Sequence, residues 1–232
     1  MRFGVVIFPG SNCEQDVIHA TRLLGYEAEY VWHGDTDISG FDAIVLPGGF
    51  SYGDYIRTGA VARFSPVMAE VTKFAEAGGP VLGICNGFQI LAEAHMLPGA
   101  LLRNRGLKFI CREVTVRVED SACQWIDLPG GTVTRLPINH NEGNYVCSPE
   151  TLSDMEARGQ IVLRYCEADG TRAPGGSAPN GSLDDIAGIC NERGNVFGLM
   201  PHPERVVDPV VGGTDGQPFF TSIAKRLAEV AG

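Results

Sequence analysis

Three short segments of this chain, Phe3–Phe8, Ala43–Leu46 and Val81–Ile84, are continuous apolar runs of strand length that break off at turn residues. Successive side chains of a strand point to opposite faces, so a strand apolar throughout needs cover on both. Helical spacing fills the intervals. Ser11 and Glu14 form a capping box before a predicted helix that reaches about Leu24 and stops at Gly25. A second predicted helix covers Pro66–Ala77 and ends at Gly78-Gly79, and a third starts over Phe88–Ala94. Glu27–Trp32 alternates as a further strand. This order predicts an α/β fold, a mostly parallel, flavodoxin-like central sheet with helices on both faces.

From about residue 107 the pattern changes. Phe109–Asp120 alternates apolar and polar, as do Thr132–Ile138 and Ile161–Tyr165, which predicts some antiparallel, half-exposed strands. Residues 168–182 form a Gly/Pro/Ser-rich surface loop, followed directly by strand-like Ile186–Cys190 and Val196–Met200. Residues 219–231 read as an amphipathic helix. No internal repeat or linker divides the chain, so residues 1–232 are expected to form one domain.

Charge narrows the function. With 28 acidic against 18 basic residues, a formal net charge of −10 and no Lys/Arg run, the chain is not built to bind nucleic acid. No segment approaches the roughly 18 apolar residues of a membrane span. The N-terminus reaches turn residues after a few apolar positions and reads as a first strand, so a cytoplasmic protein is expected. The 7 cysteines are odd in number and form no CxxC, and the 5 histidines lack HxH or HExxH spacing. Neither a disulfide framework nor a metal site is predicted.

One cysteine stands apart. Gly83-Ile84-Cys85-Asn86-Gly87 sits where a buried strand turns into a helix, the G-x-nucleophile-x-G elbow with cysteine at its apex. Such a turn lifts the sulfur over the sheet's carboxyl edge and sets it at a helix N-terminus, which favours thiolate; the flanking glycines admit close backbone. A thiolate nucleophile needs a base, and the base an orienting group. Met200-Pro201-His202-Pro203-Glu204 supplies both after the last predicted strand. In an extended segment His202 and Glu204 share a face, so the carboxylate can fix the imidazole while its other nitrogen faces Cys85. Acyl transfer also needs oxyanion donors. The Asn86 N–H is one candidate. Gly49 N–H, with Gly48 as the alternate, is the other, in the loop Leu46-Pro47-Gly48-Gly49-Phe50; a bare tight turn there is the competing reading.

The segments GICNGFQ, LPGGFSYGDYIRTGA, PINHNEGNY and MPHPER together resemble the class I, triad-type glutamine amidotransferases. Within them they are similar to the glutaminase-subunit family of phosphoribosylformylglycinamidine synthase, over about residues 3–220. Residues 137–143 and 177–180 depart from that family's usual wording. The resemblance implies that Cys85 attacks the side-chain amide of glutamine, His202 protonates departing ammonia, and Glu204 orients His202. It places Gly48, Gln89, His140 and Asn141 at the substrate, although His140 could equally be a structural histidine. No cofactor is implied on this chain. ATP and Mg2+ would serve a PurL-type synthetase subunit that receives the ammonia, with a small PurS-type subunit completing the complex. The stretch Tyr52–Arg57 either faces that partner or is a plain loop. The alternatives are another class I glutaminase, a cysteine hydrolase on a related sheet, or a non-catalytic homologue acting as a binding module.

Overall fold

The computed structural model describes residues 1–231. In chain order the elements are β1 (Arg2–Ile7), α1 (Glu14–Leu23), β2 (Glu27–Trp32), β3 (Ala43–Leu46), α2 (Pro66–Glu76), β4 (Val81–Ile84), α3 (Asn86–Glu93), β5 (Ala100–Leu102), β6 (Ile110–Val118), β7 (Val133–His140), β8 (Asn144–Val146), α4 (Pro149–Ala157), β9 (Ile161–Cys166), β10 (Ile186–Cys190), β11 (Val196–Leu199) and α5 (Pro218–Ala231). Short 3-10 turns lie at Ser51–Asp54, Ala62–Phe64, Leu183–Asp185 and Pro203–Arg205.

Nine strands join one sheet in the order β2-β1-β3-β4-β11-β10-β9-β6-β7, and β5 pairs with β8 outside it. The pairings from β2 through β11 are parallel and those from β11 to β7 antiparallel. The sheet therefore has the parallel core and later antiparallel strands that the sequence pattern predicts. Every residue of β3, β4, β9, β10 and β11 is buried. Since alternate residues face opposite ways, both faces of this central stretch are covered. The outer strands β2, β6 and β7 keep exposed positions, in line with their alternation, whereas β9, expected to be half-exposed, lies between β10 and β6 and is buried throughout.

Three expectations need correction. The Ser11–Glu14 capping box does not form: α1 begins after Cys13, which makes no side-chain cap. The Ser11 hydroxyl instead accepts from the Phe8 N–H at 3.1 Å, and Ser11 bridges to Gly49. The turn out of β1 thus claims the side chain that a helix cap would need. Second, α4 has no counterpart among the predicted elements, though Ser148 caps it, accepting from the Thr151 N–H at 3.2 Å, with Pro149 in its first turn. Third, residues 168–182 are irregular as expected but are not simply a surface loop. Asp185 Oδ1 accepts from the Ser177 and Ala178 N–H groups at 2.7 and 2.8 Å, and Asn180 at the loop's end is fully buried.

The order of strands positions three loops. β3, β4 and β11 are parallel neighbours, with Leu46 opposite Gly83 and Leu199 opposite Ile84. Their carboxyl ends release Gly48-Gly49, Cys85 and His202 side by side, at the edge where parallel α/β sheets bind ligands. β7 is an edge strand far from β11 in the pairing order, yet its Pro137 carbonyl accepts from the His202 N–H at 2.8 Å. The antiparallel half of the sheet therefore curls back over the ends of the parallel half.

Leu82, fully buried in β4, should lose about 2–5 kcal/mol of stability on Leu82→Ala. Half-exposed Leu23→Ala in α1 should lose well under about 1 kcal/mol. Urea unfolding midpoints of the two variants check the contrast.

Candidate active site

β4 ends at Ile84 and α3 begins at Asn86, so Cys85 alone makes the turn, with φ 50° and ψ −101°. Such a backbone costs a non-glycine residue about 1–3 kcal/mol and persists only where neighbours over-determine it. Here the Cys85 N–H donates to the Leu199 carbonyl at 2.8 Å, and its own carbonyl accepts from the Gln89 N–H at 3.1 Å. A Cβ at Gly87 would stand 1.9 Å from the Leu46 carbonyl oxygen, so only glycine lets α3 start this close to β3. The Cys85 thiol is buried, with Sγ 3.7 Å from the Asn139 carbonyl.

His202 and Glu204 meet as expected, by a different route. Pro203–Arg205 form a 3-10 turn rather than an extended segment, and within it His202 Nδ1 lies 2.6 Å from Glu204 Oε1. Both side chains are almost fully buried. Burial opposes a charge on the imidazole, but the Glu204 carboxylate, then the Cys85 and Cys13 thiols against the ring, outweigh it. The His202 pKa stands well above the ordinary histidine value. Its Nε2 is buried and has no partner among the described residues, as is Glu204 Oε2. A buried imidazole oriented by a carboxylate, with its second nitrogen free beside a thiol, can carry a proton to and from a nucleophile.

The Gly48-Gly49 loop is pinned to the elbow. The Ser51 N–H donates to Asn86 Oδ1 at 3.1 Å, while Asn86 Nδ2 donates to Gln89 Oε1 at 2.9 Å. Gly49 has φ 145° and lies against the backbone of Ser11 and Asn12, so its conformation and its surroundings both demand glycine. A Cβ on Gly48 would reach 2.7 Å from His202 Cε1. Gly48 therefore serves the imidazole's space, while Gly49 lines a small cavity together with Cys85, Gln89, His140, Asn141 and Glu142. The structure thus gathers the sequence-predicted residues around one cavity, with His202 and Glu204 packed behind the nucleophile.

The far wall rests on residues that the sequence reading did not single out. Asn104 Nδ2 donates to the Lys108 and His140 carbonyls at 2.9 and 3.0 Å. Its Oδ1 accepts from His140 Nδ1 at 3.1 Å and the Gly143 N–H at 3.0 Å. His140 is therefore neutral with its proton on Nδ1, and burial, then the charge of His202, depress its pKa to about 4. Asn180 Nδ2 donates to the Gly143 carbonyl at 2.8 Å, and the Ser182 hydroxyl donates to the same oxygen at 3.2 Å. Asn180 and Ser182 thus hold the 140–143 loop. Gln89 is buried, its amide committed to Asn86 and, through Nε2, to the Glu142 carbonyl at 2.5 Å. A buried asparagine reads from sequence like any loop polar residue; only its partners mark it.

Nothing in the sequence sets Cys13 apart from the other cysteines. Its sulfur accepts from Arg205 Nη2 at 3.2 Å, and its ligand atom lies within 4.8 Å of those of His202 and Glu204. This buried thiol, imidazole and carboxylate could close on a soft divalent cation, although the His202–Glu204 hydrogen bond already engages two of them.

Residues 1–215 match the family model described as a CobB/CobQ-like glutamine amidotransferase domain, the class of protein that this fold and site define. The chain is 57% identical over 233 residues to the phosphoribosylformylglycinamidine synthase subunit PurQ of Thermomicrobium roseum, covering 100% of this chain and 98% of the relative. The like-named subunit of Rubrobacter xylanophilus is 55% identical over 225 residues, 96% of this chain and 97% of its own. Among solved structures, a chain of PurLQS from Thermotoga maritima superposes with a TM-score of 0.86 at 44% identity, covering 97% and 98% of the two chains. The chain belongs to the PurQ family of glutamine amidotransferases.

The two buried histidines should respond oppositely to pH. For His140 the folded pKa, about 4, lies below the unfolded value of about 6.5, so the unfolded chain binds the proton first. Its contribution turns destabilising as pH falls from about 6.5 towards 4. For His202 the folded value is raised, so its contribution is fully present below about 6.5 and is lost as pH rises through the folded pKa. Imidazole NMR resonances should show no His140 titration between about pH 5 and 8. Asn180→Ala, which leaves the buried Gly143 carbonyl with one fewer donor, should cost about 1–3 kcal/mol in thermal unfolding.

Proposed function

We propose that this chain is the glutamine-hydrolysing subunit of phosphoribosylformylglycinamidine synthase, with Cys85 as nucleophile, His202 as proton carrier and Glu204 as the group that orients it. The observation that carries this reading is the delivery of Cys85 and the buried His202–Glu204 pair by the adjacent ends of β4 and β11. The Cys85 sulfur, its proton already passed to His202, attacks the side-chain amide carbon of glutamine. The oxyanion forms between the N–H groups of Gly49 and Asn86. Collapse expels ammonia, protonated by His202, and leaves a γ-glutamyl thioester. Water, activated by His202, hydrolyses the thioester to glutamate and regenerates the thiol. Gln89, His140 and Asn141 bound the substrate's cavity, Gln89 by bracing Glu142 and Asn86 rather than by offering a free amide.

The ammonia passes to a synthetase subunit of PurL type, which uses ATP and Mg2+ to convert formylglycinamide ribonucleotide to the amidine in purine biosynthesis. A PurS-type subunit completes the complex. The likeness to a chain of the PurLQS structure supports this assignment. So does the loop beside the cavity, where Tyr55 and Ile56 are 77% and 83% exposed. Their apolar surface, on a loop whose neighbour Ser51 is tied to the elbow, suits contact with the partner and a relay of its state to Gly49. We read residues 1–232 as one domain, since a single sheet draws its strands from both halves of the chain. No helix among the described residues is long and apolar enough to cross a membrane, in keeping with a cytoplasmic enzyme.

Cys85→Ser in the assembled complex should abolish glutamine-dependent amidine synthesis and leave ammonia-dependent synthesis intact. Equal loss of both activities would show that Cys85 is not the nucleophile. A glutamine-analogue electrophile should label Cys85 before the other thiols, as peptide mass spectrometry would read.

A further inference from the structure

Asp54 is the one acidic side chain of the cavity wall for which the fold provides no counter-charge. It stands on the loop after Gly49, in a left-handed conformation with φ 55°, and lines the same cavity as Cys85. Its carboxylate makes no hydrogen bond or ion pair among the described residues, and Oδ1 is buried without a partner. The nearby cations are engaged elsewhere. Arg57 binds the Glu93 carboxylate through two nitrogens at 2.5 and 2.6 Å, and Arg63 donates to the Glu93 carbonyl at 2.8 Å. Across the cavity Glu142 adds a second negative charge, which its Arg103 partner, 3.5 Å away and largely solvent-exposed, offsets only in part. The other titratable groups of the wall are Cys85 and neutral His140. An unpaired carboxylate facing another carboxylate in a confined space has an unmet need for a cation. Burial, then the charge of Glu142, accordingly raises the Asp54 pKa to about 6.

We infer that Asp54, facing Glu142, receives the α-ammonium group of the substrate and so selects a free amino acid whose side-chain amide reaches Cys85. This rests on the reading of Cys85 as the nucleophile of glutamine hydrolysis. A substrate ammonium supplies the missing counter-charge, and its charge-assisted hydrogen bond is stronger than a neutral one. An amide without an α-amino group would leave two carboxylates facing each other, which is the stronger basis for rejecting it.

The test compares glutamine with 4-carbamoylbutyrate, the same molecule without its α-amino group, in steady-state hydrolysis by the full chain with its copurifying synthetase. Asp54→Asn is the variant, because asparagine tolerates the left-handed backbone and keeps the shape. The expected result is a rise of about tenfold or more in the KM for glutamine with kcat little changed, and no rise for 4-carbamoylbutyrate. Discrimination between the two substrates should therefore shrink by the same factor. Unchanged glutamine KM, or equal losses on both substrates, would overturn the assignment while leaving Cys85 chemistry standing. A wild-type chain that hydrolyses neither substrate yet retains ammonia-dependent synthesis would overturn the proposed function and this inference together. Circular dichroism of Asp54→Asn, and its labelling at Cys85 by an electrophile lacking an α-amino group, separate a binding loss from a folding loss: normal spectra and normal labelling are expected, and loss of both would assign Asp54 a structural role.

Discussion

Everything at the candidate site depends on one strained residue. Cys85 holds φ 50° and ψ −101° as the single residue between β4 and α3. The Cys85 N–H is fixed to β11, its carbonyl to Gln89, and Gly87 rests against the Leu46 carbonyl of β3. Relaxing that turn would pull α3 off β3 and break the tie between Asn86 and Ser51. The strain thus persists through packing of a sheet buried on both faces, and its effect is to hold the sulfur over the sheet edge.

The electrostatics follow from the same crowding. Two imidazoles and three carboxylates stand around one small cavity and its back wall; burial acts on them, and the charged partner each one has or lacks decides the outcome. His202 keeps a proton because the Glu204 carboxylate hydrogen-bonded to it outweighs burial; His140 loses its own because burial, then the charge of His202, acts on it and its side-chain partner, Asn104, is neutral. A second charged histidine facing the first would be repelled, so the two states reinforce each other. Asp54 is the group left over, and that asymmetry distinguishes a surface prepared for a charged ligand from one that is internally balanced.

The cavity's far wall is a lesson in support. Asn104, Asn180 and Ser182 hold the backbone of residues 140–143 by hydrogen bonds to carbonyl and N–H groups. Residues 177–180, where the sequence departs from the family's usual wording, still deliver Asn180 to Gly143. Their function is carried by one buried amide and by Asp185, which ties down the loop that brings it. In the same way His202 and Glu204 meet although the backbone between them is a 3-10 turn. The backbone there differs from the extended segment that the prolines predict, yet the turn still brings His202 Nδ1 to Glu204 Oε1.

What the amino-acid sequence determined by itself was local: apolar runs bounded by glycine, the elbow around Cys85, and the proximity of His202 to Glu204 along the chain. Those signals depend on periodicity, turn chemistry and side-chain class, all of which act over a few residues. The order of the strands, the curl that brings Pro137 and Asn139 to the site, and the pairing of Cys13 with Arg205 were decided only by the tertiary structure. So was the choice of Ser11 as a turn residue rather than a cap. These depend on which distant groups arrive within hydrogen-bonding distance when one sheet closes over another part of itself, and no window along the chain contains both partners.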